Sequence, residues 1–213
     1  FEQPTIFSLS QIVETLNTEK SVSLIPPLLP MERSESIPLS FAQTRLWFLD
    51  QLLPDVALYN IPLALNLTGN LNKDALEKAL NPPIERHESL RTIFPSAEGE
   101  AHHVILDTCQ INLEECSQDL SHLKKEERFS ACKQIAFKEA NTPFNLSVGP
   151  LMRVKLIIFS TEEHALFITL HHIISDGWSM NIFFRELSHL YNAYMAGELS
   201  SLPKLPIQYA DFA

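Results

Sequence analysis

One stretch, "LFITLHHIISDGWSM" from Leu166 to Met180, sets the strongest limits on how this chain folds. It opens as an apolar run, which is typical of a buried β-strand, and the run ends in His171 and His172. Asp176 and Gly177 follow and predict a tight turn. After the turn, apolar residues recur at the spacing of an amphipathic helix. The stretch therefore predicts a strand, a sharp corner and a helix in direct succession.

Strand and helix patterns mix irregularly along the chain, which predicts an α/β (α+β) sandwich with a mixed or antiparallel sheet. Strands are predicted at 59–69, 90–94, 101–106, 143–160 and 164–170, and helices from near Ser40, from Asn72, over 122–140 and from Trp178. Pro82 and Pro83 lack the N–H groups that a helix needs. The helix capped by Asn72 is therefore predicted to end near Leu80 and to restart with proline in its first turn.

The residue pattern changes twice along the chain, which predicts three segments. Residues 1–19 carry apolar side chains at a helical spacing. Residues 20–36 are rich in proline, which disfavours helix, so they predict an extended linker. Residues 37–213 hold the strand and helix patterns of one lobe. Because the chain starts at Phe1 rather than at methionine, we expect it to be cut from something longer.

The composition indicates a soluble, cytoplasmic globular protein. Apolar residues make up 45% and charged residues 20% of the 213 positions, and no apolar run is long enough to span a bilayer. The net charge of -10 disfavours nucleic acids and anionic membranes as partners. Cys109, Cys116 and Cys132 show no metal or disulfide spacing, so we interpret them as reduced thiols.

The two histidines at the corner are expected to face different surroundings. Neighbouring side chains of a strand point to opposite faces, so one histidine faces a site and the other packs behind it. This divergence also disfavours a shared metal ion. A histidine beside a helix N-terminus tends to stay uncharged and basic. The amides of Gly177 and Trp178 are candidates to stabilise an oxyanion, and Asp176 to hold the loop by accepting hydrogen bonds.

A second copy of the spacing, "HHVILD" from His102 to Asp107, serves as an internal control. No glycine and no helix start follow it, and it lies in an apolar strand that leaves a turn. We interpret this copy as ordinary strand residues. For the copy at His171, the strand–turn–helix setting favours function more strongly, but a satisfied core pair stays open from the residues alone.

Four segments resemble, in order, the sequence motifs of the condensation domains of nonribosomal peptide synthetases. These four motif segments are "PLSFAQTRLWFLDQL" (38–52), "RHESLRTIF" (86–94), "HHIISDGWSM" (171–180) and "YADFA" (209–213). The resemblance runs from near residue 37 to the end of the chain and covers about the first half of such a domain. The first and third segments resemble the subtype that joins an L-configured donor to an L acceptor.

The resemblance implies a chloramphenicol acetyltransferase-like fold, in which two lobes form a V with the active site between them. Residues 37–213 would be the N-terminal lobe, without the C-terminal lobe. Residues 1–19 resemble the last helix of a carrier protein domain, and residues 20–36 resemble the linker that follows it. Because half of a V lacks one wall of its channel, we expect this chain alone to have little or no activity.

The implied reaction is amide formation. The amine of an acceptor aminoacyl-carrier attacks the thioester of a donor peptidyl-carrier. Both substrates are tethered through phosphopantetheine, and the resemblance implies no cofactor or metal bound directly by the lobe. The implied partners are the donor and acceptor carrier domains, the C-terminal lobe and an adenylation domain of the same assembly line. The carriers' tethers supply proximity between the reacting groups.

Roles for individual residues follow from the same resemblance. His172 would face the channel and act as general base, or position the amine and stabilise charge. His171 would support the shape of the segment. Asp176 would be structural and pair with an arginine of the other lobe, and Gly177 would let the backbone approach the substrate.

Two further sets of residues belong to these segments. Trp178 and Ser179, directly after the glycine, are expected to contact the substrate. Arg86, His87 and Arg91 belong to the second segment. For them, a helix end that leads into a strand, with solvated or salt-bridged arginines, is favoured over catalysis.

Three alternatives stay open. In the first, the lobe only docks carrier domains and catalyses no reaction. In the second, it belongs to an epimerisation-type domain, which shares the His-His-x-x-x-Asp-Gly pattern. In the third, outside this superfamily, His171, His172 and Asp176 serve a metal-dependent hydrolase.

Overall fold

The computed structural model describes residues 5–18, 27–33, 37–199 and 202–213. The helices over these ranges are α1 (Ile6–Thr18), α2 (Phe41–Leu52), α3 (Lys73–Arg86), α4 (Leu113–Cys116), α5 (Lys125–Asn141) and α6 (Gly177–Met195). The strands are β1 (Ile37–Pro38), β2 (Asn60–Thr68), β3 (Thr92–Ile93), β4 (Ser96–Ala97), β5 (Glu100–Ile105), β6 (Ser117–Asp119), β7 (Met152–Ile158) and β8 (Glu163–His171). None of the helices in the described ranges is long and apolar enough to cross a bilayer.

The larger sheet has the strand order β2-β8-β7-β6. β8 pairs antiparallel with both β2 and β7, whereas β6 pairs parallel with β7. The predicted mixed sheet is therefore confirmed. A smaller sheet has the order β1-β5-β3, with β4 also paired to β5. The strand β6 was not predicted, because its three residues, "SQD", carry no apolar alternation.

Helices cover both faces of the larger sheet, which makes β8 its central buried strand. Leu166, Ile168 and Leu170 belong to the main core together with residues of α3 and α6. Ala165 and Phe167 point to the opposite face and belong to a smaller cluster, against which α5 packs. The strand's period of two thus divides its side chains between two apolar layers. This arrangement confirms the predicted sandwich.

The predicted end of α3 near Leu80 is wrong, because the helix continues through Pro82 and Pro83 to Arg86. Each proline removes an intrahelical hydrogen bond. The apolar face of the helix nevertheless continues past them, and Leu80, Pro83 and Ile84 are all buried. Burial of apolar area at about 25 cal/mol per Å² offsets the lost hydrogen bonds.

Two predicted strands are shorter than expected. Within 90–94, Glu88–Arg91 forms a 3-10 turn and β3 is left with two residues. Within 143–160, only Met152–Ile158 forms β7. In both places, turn residues next to the strand carried enough apolar side chains to extend the pattern, although their backbone does not pair.

The N-terminal predictions are only partly covered by the described residues. α1 agrees with the helix predicted in 1–19. Residues 27–33 have no helix or strand, and the assignment of 20–36 as a linker stays a prediction. The rest of that linker, 20–26 and 34–36, lies outside the described residues.

One buried carboxylate joins the segment before the lobe to the lobe's last turn. The side chain of Asp211 is 1% exposed, and it accepts hydrogen bonds from the Met31 N–H (2.9 Å), from Arg33 Nη1 (2.6 Å) and from the Gln208 N–H (2.6 Å). Arg33 also forms an ion pair with Glu88 at 2.7 Å. The hydrogen bond from Arg33 lowers the pKa of Asp211 from 3.8 to about 2.

We expect Asp211→Asn to lower the free energy of unfolding by about 1–2 kcal/mol near neutral pH, because it weakens charge-assisted hydrogen bonds to a buried group. The contribution of Asp211 is present above its ordinary pKa of 3.8 and is lost as pH falls toward about 2. Urea denaturation at several pH values measures it. Asp55→Asn, at an exposed position, is the control and should leave stability nearly unchanged. Equal stabilities of wild type and Asp211→Asn would contradict the prediction.

Candidate active site

The predicted corner forms, but its turn lies earlier than expected. β8 ends at His171, the chain turns over residues 172–174, and α6 begins at Gly177 with Asp176 as its N-cap. The prediction of a tight turn at Asp176 and Gly177 is therefore wrong. Aspartate followed by glycine is common in turns, but aspartate is equally favoured at helix N-caps, and the latter role applies here.

The two adjacent histidines differ in burial, as strand alternation predicts. His171 is 4% exposed, whereas His172 is exposed. β2 and β8 pair in a register that places Asn60 opposite His171, and the His172 N–H then donates to the Tyr59 carbonyl at 2.8 Å. This bond extends the ladder by one residue, so the main chain of His172 is held although its ring is open to solvent.

The buried ring of His171 stabilises the turn by a hydrogen bond to its main chain. Its Nδ1 accepts a hydrogen bond from the Ile173 N–H at 3.1 Å, so the ring is neutral with its proton on Nε2. The ring also makes edge contacts with Tyr59 and Phe144. Burial, with a smaller effect from the charge of His172, lowers the pKa of His171 from 6.5 to about 4. The side chain is thus a buried acceptor for the main chain next to His172.

His172 lines a cleft of about 370 Å³ in which all four motif segments meet. The first segment contributes Leu46 from α2, the second contributes Ser89, and the fourth contributes Tyr209. The third contributes His172 itself and Trp178 at the start of α6. Segments that are far apart in sequence therefore form one concave surface of the size that small ligands occupy.

The start of α6 is stabilised by a reciprocal capping box. Asp176 Oδ1 accepts from the Ser179 N–H, and Ser179 Oγ accepts from the Asp176 N–H, both at 2.8 Å. The hydrogen bond from the Ser179 amide, with smaller contributions that include the Trp178 amide, lowers the pKa of Asp176. The amide of Trp178, expected to meet an oxyanion together with that of Gly177, therefore already interacts with the Asp176 carboxylate.

The residues after Asp176 differ in how much surface they offer. Trp178 is 79% exposed and lies on the wall of the cleft. A Cβ added at Gly177 would meet no atom within 4 Å, so the described residues do not themselves require glycine there. Ser179 lines the cleft, but its hydroxyl belongs to the cap and also contacts Ser175 Oγ at 3.2 Å.

Arg86 and His87 of the second segment are tied to α6 by one carboxylate. Arg86 Nη1 contacts Glu186 Oε1 at 3.0 Å, and His87 Nε2 contacts Glu186 Oε2 at 2.8 Å. Arg91 donates from Nη1 to the Leu106 carbonyl at 2.6 Å. Arg86 is thus salt-bridged and Arg91 is hydrogen-bonded to the main chain; that their role is structural stays a prediction. The role of Glu186 was not predicted, although a charged residue among the apolar positions of an amphipathic helix was a usable signal.

The second His-His copy lies in β5, as the control interpretation predicted. His103 is buried, and its Nε2 lies 2.8 Å from Gln43 Oε1. Burial lowers the pKa of His103 from 6.5 to about 4. In the part of the chain that the structure describes, no three His, Cys, Asp or Glu side chains stand in a metal-binding group, so the metal-dependent hydrolase hypothesis has no ligand set there.

Comparison with protein families and curated proteins links this site to peptide synthetases. A family model described as Condensation domain matches residues 33–213. A linear gramicidin synthase of Brevibacillus parabrevis is 47% identical over 213 residues, which are 100% of this chain and 3% of that protein. Phosphinothricin tripeptide synthetase PhsB of Streptomyces viridochromogenes is 37% identical over 100% of this chain and 18% of its own length. This chain thus spans a small part of each relative.

Solved structures share the fold. The X-domain from teicoplanin biosynthesis, 33% identical, matches with a TM-score of 0.74 over 88% of this chain and 39% of its own. The starter condensation domain of the rhizomide synthetase RzmA, 24% identical, matches with a TM-score of 0.72 over 82% and 41%. This fold is chloramphenicol acetyltransferase-like, as expected. Since the family model matches most of the chain and four motif segments meet in one cleft, the chain belongs to the condensation domain family of nonribosomal peptide synthetases.

Proposed function

We propose that this lobe, with the rest of its domain, forms amide bonds in nonribosomal peptide synthesis. The amine nitrogen of an acceptor aminoacyl-carrier attacks the thioester carbonyl carbon of a donor peptidyl-carrier. The new C–N bond forms, the C–S bond breaks, and the proton lost by the amine ends on the released phosphopantetheine thiol. No covalent intermediate with the protein is needed.

The observation that carries this proposal is the position of His172. Its ring is exposed in the cleft where the four motif segments meet, while its main chain is held by the Tyr59 carbonyl and its neighbour His171 is buried. A fixed backbone with a ring open to the cleft suits a group that meets an incoming substrate.

His172 has two candidate tasks in this reaction, and one geometry serves both. As a general base, its imidazole accepts the amine proton while the C–N bond forms. As a positioning group, it hydrogen-bonds the amine and stabilises the charge that develops in the transition state. We assign contact with the tethered substrate to Trp178 and Ser179 beside it, and close approach of the backbone to Gly177.

We also propose the partners that the resemblance implies. Residues 1–19 end a carrier domain, and 20–36 link it to the lobe. In support, Ile6, Phe7 and Leu9 of α1 are exposed. Exposed apolar side chains are expected for a helix that packs in the core of a separate domain. Donor and acceptor carriers deliver phosphopantetheine-tethered substrates, and an adenylation domain loads them in the cytoplasm. Nucleic acids and membranes are not among the proposed partners.

The other wall of the channel would come from a C-terminal lobe. The solved relatives are more than twice as long as the part this chain matches, at 39% and 41% coverage. Asp176 is exposed and lines the cleft, and we propose that an arginine of that lobe pairs with its carboxylate there. We therefore expect little condensation by these 213 residues alone.

A second candidate is a non-catalytic lobe that only docks carrier domains. It is favoured by the teicoplanin X-domain, whose complex with OxyB has been solved and which is 30% identical to this chain with a TM-score of 0.74. An assay for dipeptide on the acceptor carrier separates the two functions. Chiral analysis of the donor residue in the same assay detects an epimerisation-type reaction, because its configuration would change. The configuration of donor and acceptor residues in the dipeptide also tests the proposed L-to-L subtype.

We expect His172→Ala in the full-length synthetase to lower the condensation rate by about 10²-fold or more, because general base catalysis contributes roughly that much. Quantifying dipeptidyl-carrier after separate adenylation and loading measures the rate. The matched control is His102→Ala in the second His-His copy, which should condense at the wild-type rate. A normal rate for His172→Ala would remove the proposed role of this ring.

We expect Asp176→Ala to lower the free energy of unfolding by about 1 kcal/mol, because the N-cap acceptor is lost. Asp176→Asn keeps an oxygen for the Ser179 amide and should remain close to wild type in stability. Chemical denaturation of both variants measures the difference. If the two variants were equally destabilised, the charge rather than the cap would be the important property of Asp176.

We expect His171 to make the protein less stable as pH falls. Unfolded histidine binds a proton near 6.5, whereas folded His171 does so only near 4. Stability is therefore retained above pH 6.5 and lost as pH falls through about 4. Asn at position 171 keeps an acceptor for the Ile173 amide but does not titrate. His171→Asn should thus flatten the plot of unfolding free energy against pH.

A further inference from the structure

We propose that Gln43 is a positioning residue of the condensation site, because its side-chain amide and His171 together fix the main chain that carries His172. Gln43 lies in α2, far in sequence from the His-His segment. The proposal rests on the function proposed above and adds a residue that touches neither the amine nor the thioester in that mechanism.

The amide of Gln43 is buried, and both its oxygen and its nitrogen form hydrogen bonds. The residue is 4% exposed. Its Oε1 accepts from the Ser40 N–H at 3.1 Å and lies 2.8 Å from His103 Nε2. Its Nε2 donates to the Ile173 carbonyl at 3.3 Å. One side chain therefore connects α2, β5 and the turn after β8.

The orientation of this amide is determined by its backbone partners. The Ser40 N–H can only donate, so it faces Oε1, and the Ile173 carbonyl can only accept, so it faces Nε2. His103 must then donate from Nε2, which agrees with burial keeping this ring neutral and its pKa near 4. A flipped amide would place two donors together and two acceptors together. Gln43 thus binds Ile173 in one way only.

Ile173, the residue directly after His172, is held from both sides. Its N–H donates to His171 Nδ1 at 3.1 Å, and its carbonyl accepts from Gln43 Nε2. In the same peptide group as that carbonyl, the Ile174 N–H donates to the His171 carbonyl at 3.1 Å. On the other side of His172, its own N–H donates to the Tyr59 carbonyl. The peptide groups on both sides of His172 are therefore fixed.

The contacts from His171, Gln43 and Tyr59 to the main chain at 172–173, here called the clamp, determine the direction in which the His172 side chain leaves the backbone. The ring is exposed, so its direction depends on the main chain more than on packing. A shift of about 1 Å in a reacting group can lower a rate by about 10²-fold. Gln43 itself lines the cleft but is only 4% exposed, and it has no bonding role in the proposed reaction. Loss of its bond to Ile173 should therefore reduce catalysis through the position of His172.

Gln43→Glu in the full-length synthetase separates the clamp from the helix cap. A carboxylate still accepts from the Ser40 N–H and from His103, but it cannot donate to the Ile173 carbonyl. We expect kcat for dipeptide formation to fall by about 10-fold to 100-fold, with the KM for the acceptor carrier changed by less than about threefold. Hydrogen exchange of the peptide that contains Ile173 and Ile174 should become faster.

Two controls isolate the effect. Gln134→Glu makes the same chemical change at an exposed position of α5 and should leave kcat at the wild-type value. Asn72→Ala removes the side chain that caps α3 at a position that does not line the cleft. It should lower thermal stability while kcat stays near the wild-type value. Unchanged kcat and exchange in Gln43→Glu would overturn the proposal, as would a loss of kcat in Asn72→Ala equal to that in Gln43→Glu.

The same assay distinguishes failure of this inference from failure of the proposed function. If His172→Ala is inactive and Gln43→Glu is fully active, only the positioning role is wrong. If His172→Ala condenses normally, the proposed function of the ring is wrong. The contacts of His171 and Gln43 with Ile173 then have no role in catalysis. The exchange measurement then still decides whether Gln43 holds the turn.

Discussion

The register between β2 and β8 is the constraint that determines the geometry of the site. Nine antiparallel pairs run from Asn60 opposite His171 to Thr68 opposite Glu163. A slip of one residue would turn every side chain of β8 to the other face and would place His171, instead of His172, toward the cleft. Because β8 is buried on both faces, such a slip would also exchange its side chains between two separate apolar clusters. Packing of the core therefore sets which histidine is exposed.

Buried polar side chains then join the separate motif segments around this strand. Glu186 binds Arg86 and His87, Asp211 binds Arg33, and the amide of Gln43 binds the turn after β8. Each group is buried with partners for its charge or its hydrogen-bonding atoms, as groups removed from water require. The segments around the cleft are thus brought together by hydrophobic packing, and polar contacts fix their relative positions.

Local patterns predicted long periodic segments well. They predicted less well the places where tertiary packing overrides local propensity. Alternation along β8 was enough to predict that one histidine would be buried and the next exposed. The helix break at Pro82 was wrong, because the buried face of α3 holds the helix together beyond it. The turn expected at Asp176 was misplaced, since the same residue type serves turns and N-caps. The parallel strand β6 has a polar sequence and pairs only because β7 lies beside it.

The long strands and helices, the succession of strand and helix at β8 and α6, and the family followed from the residues alone, because they depend on periodicity and on patterns that are local in the chain. The folded chain was needed to show which distant segments meet at His172 and that Gln43 binds Ile173, 130 residues away. Contacts over such separations follow from how apolar faces pack against each other, and a single sequence states the faces but not their pairing.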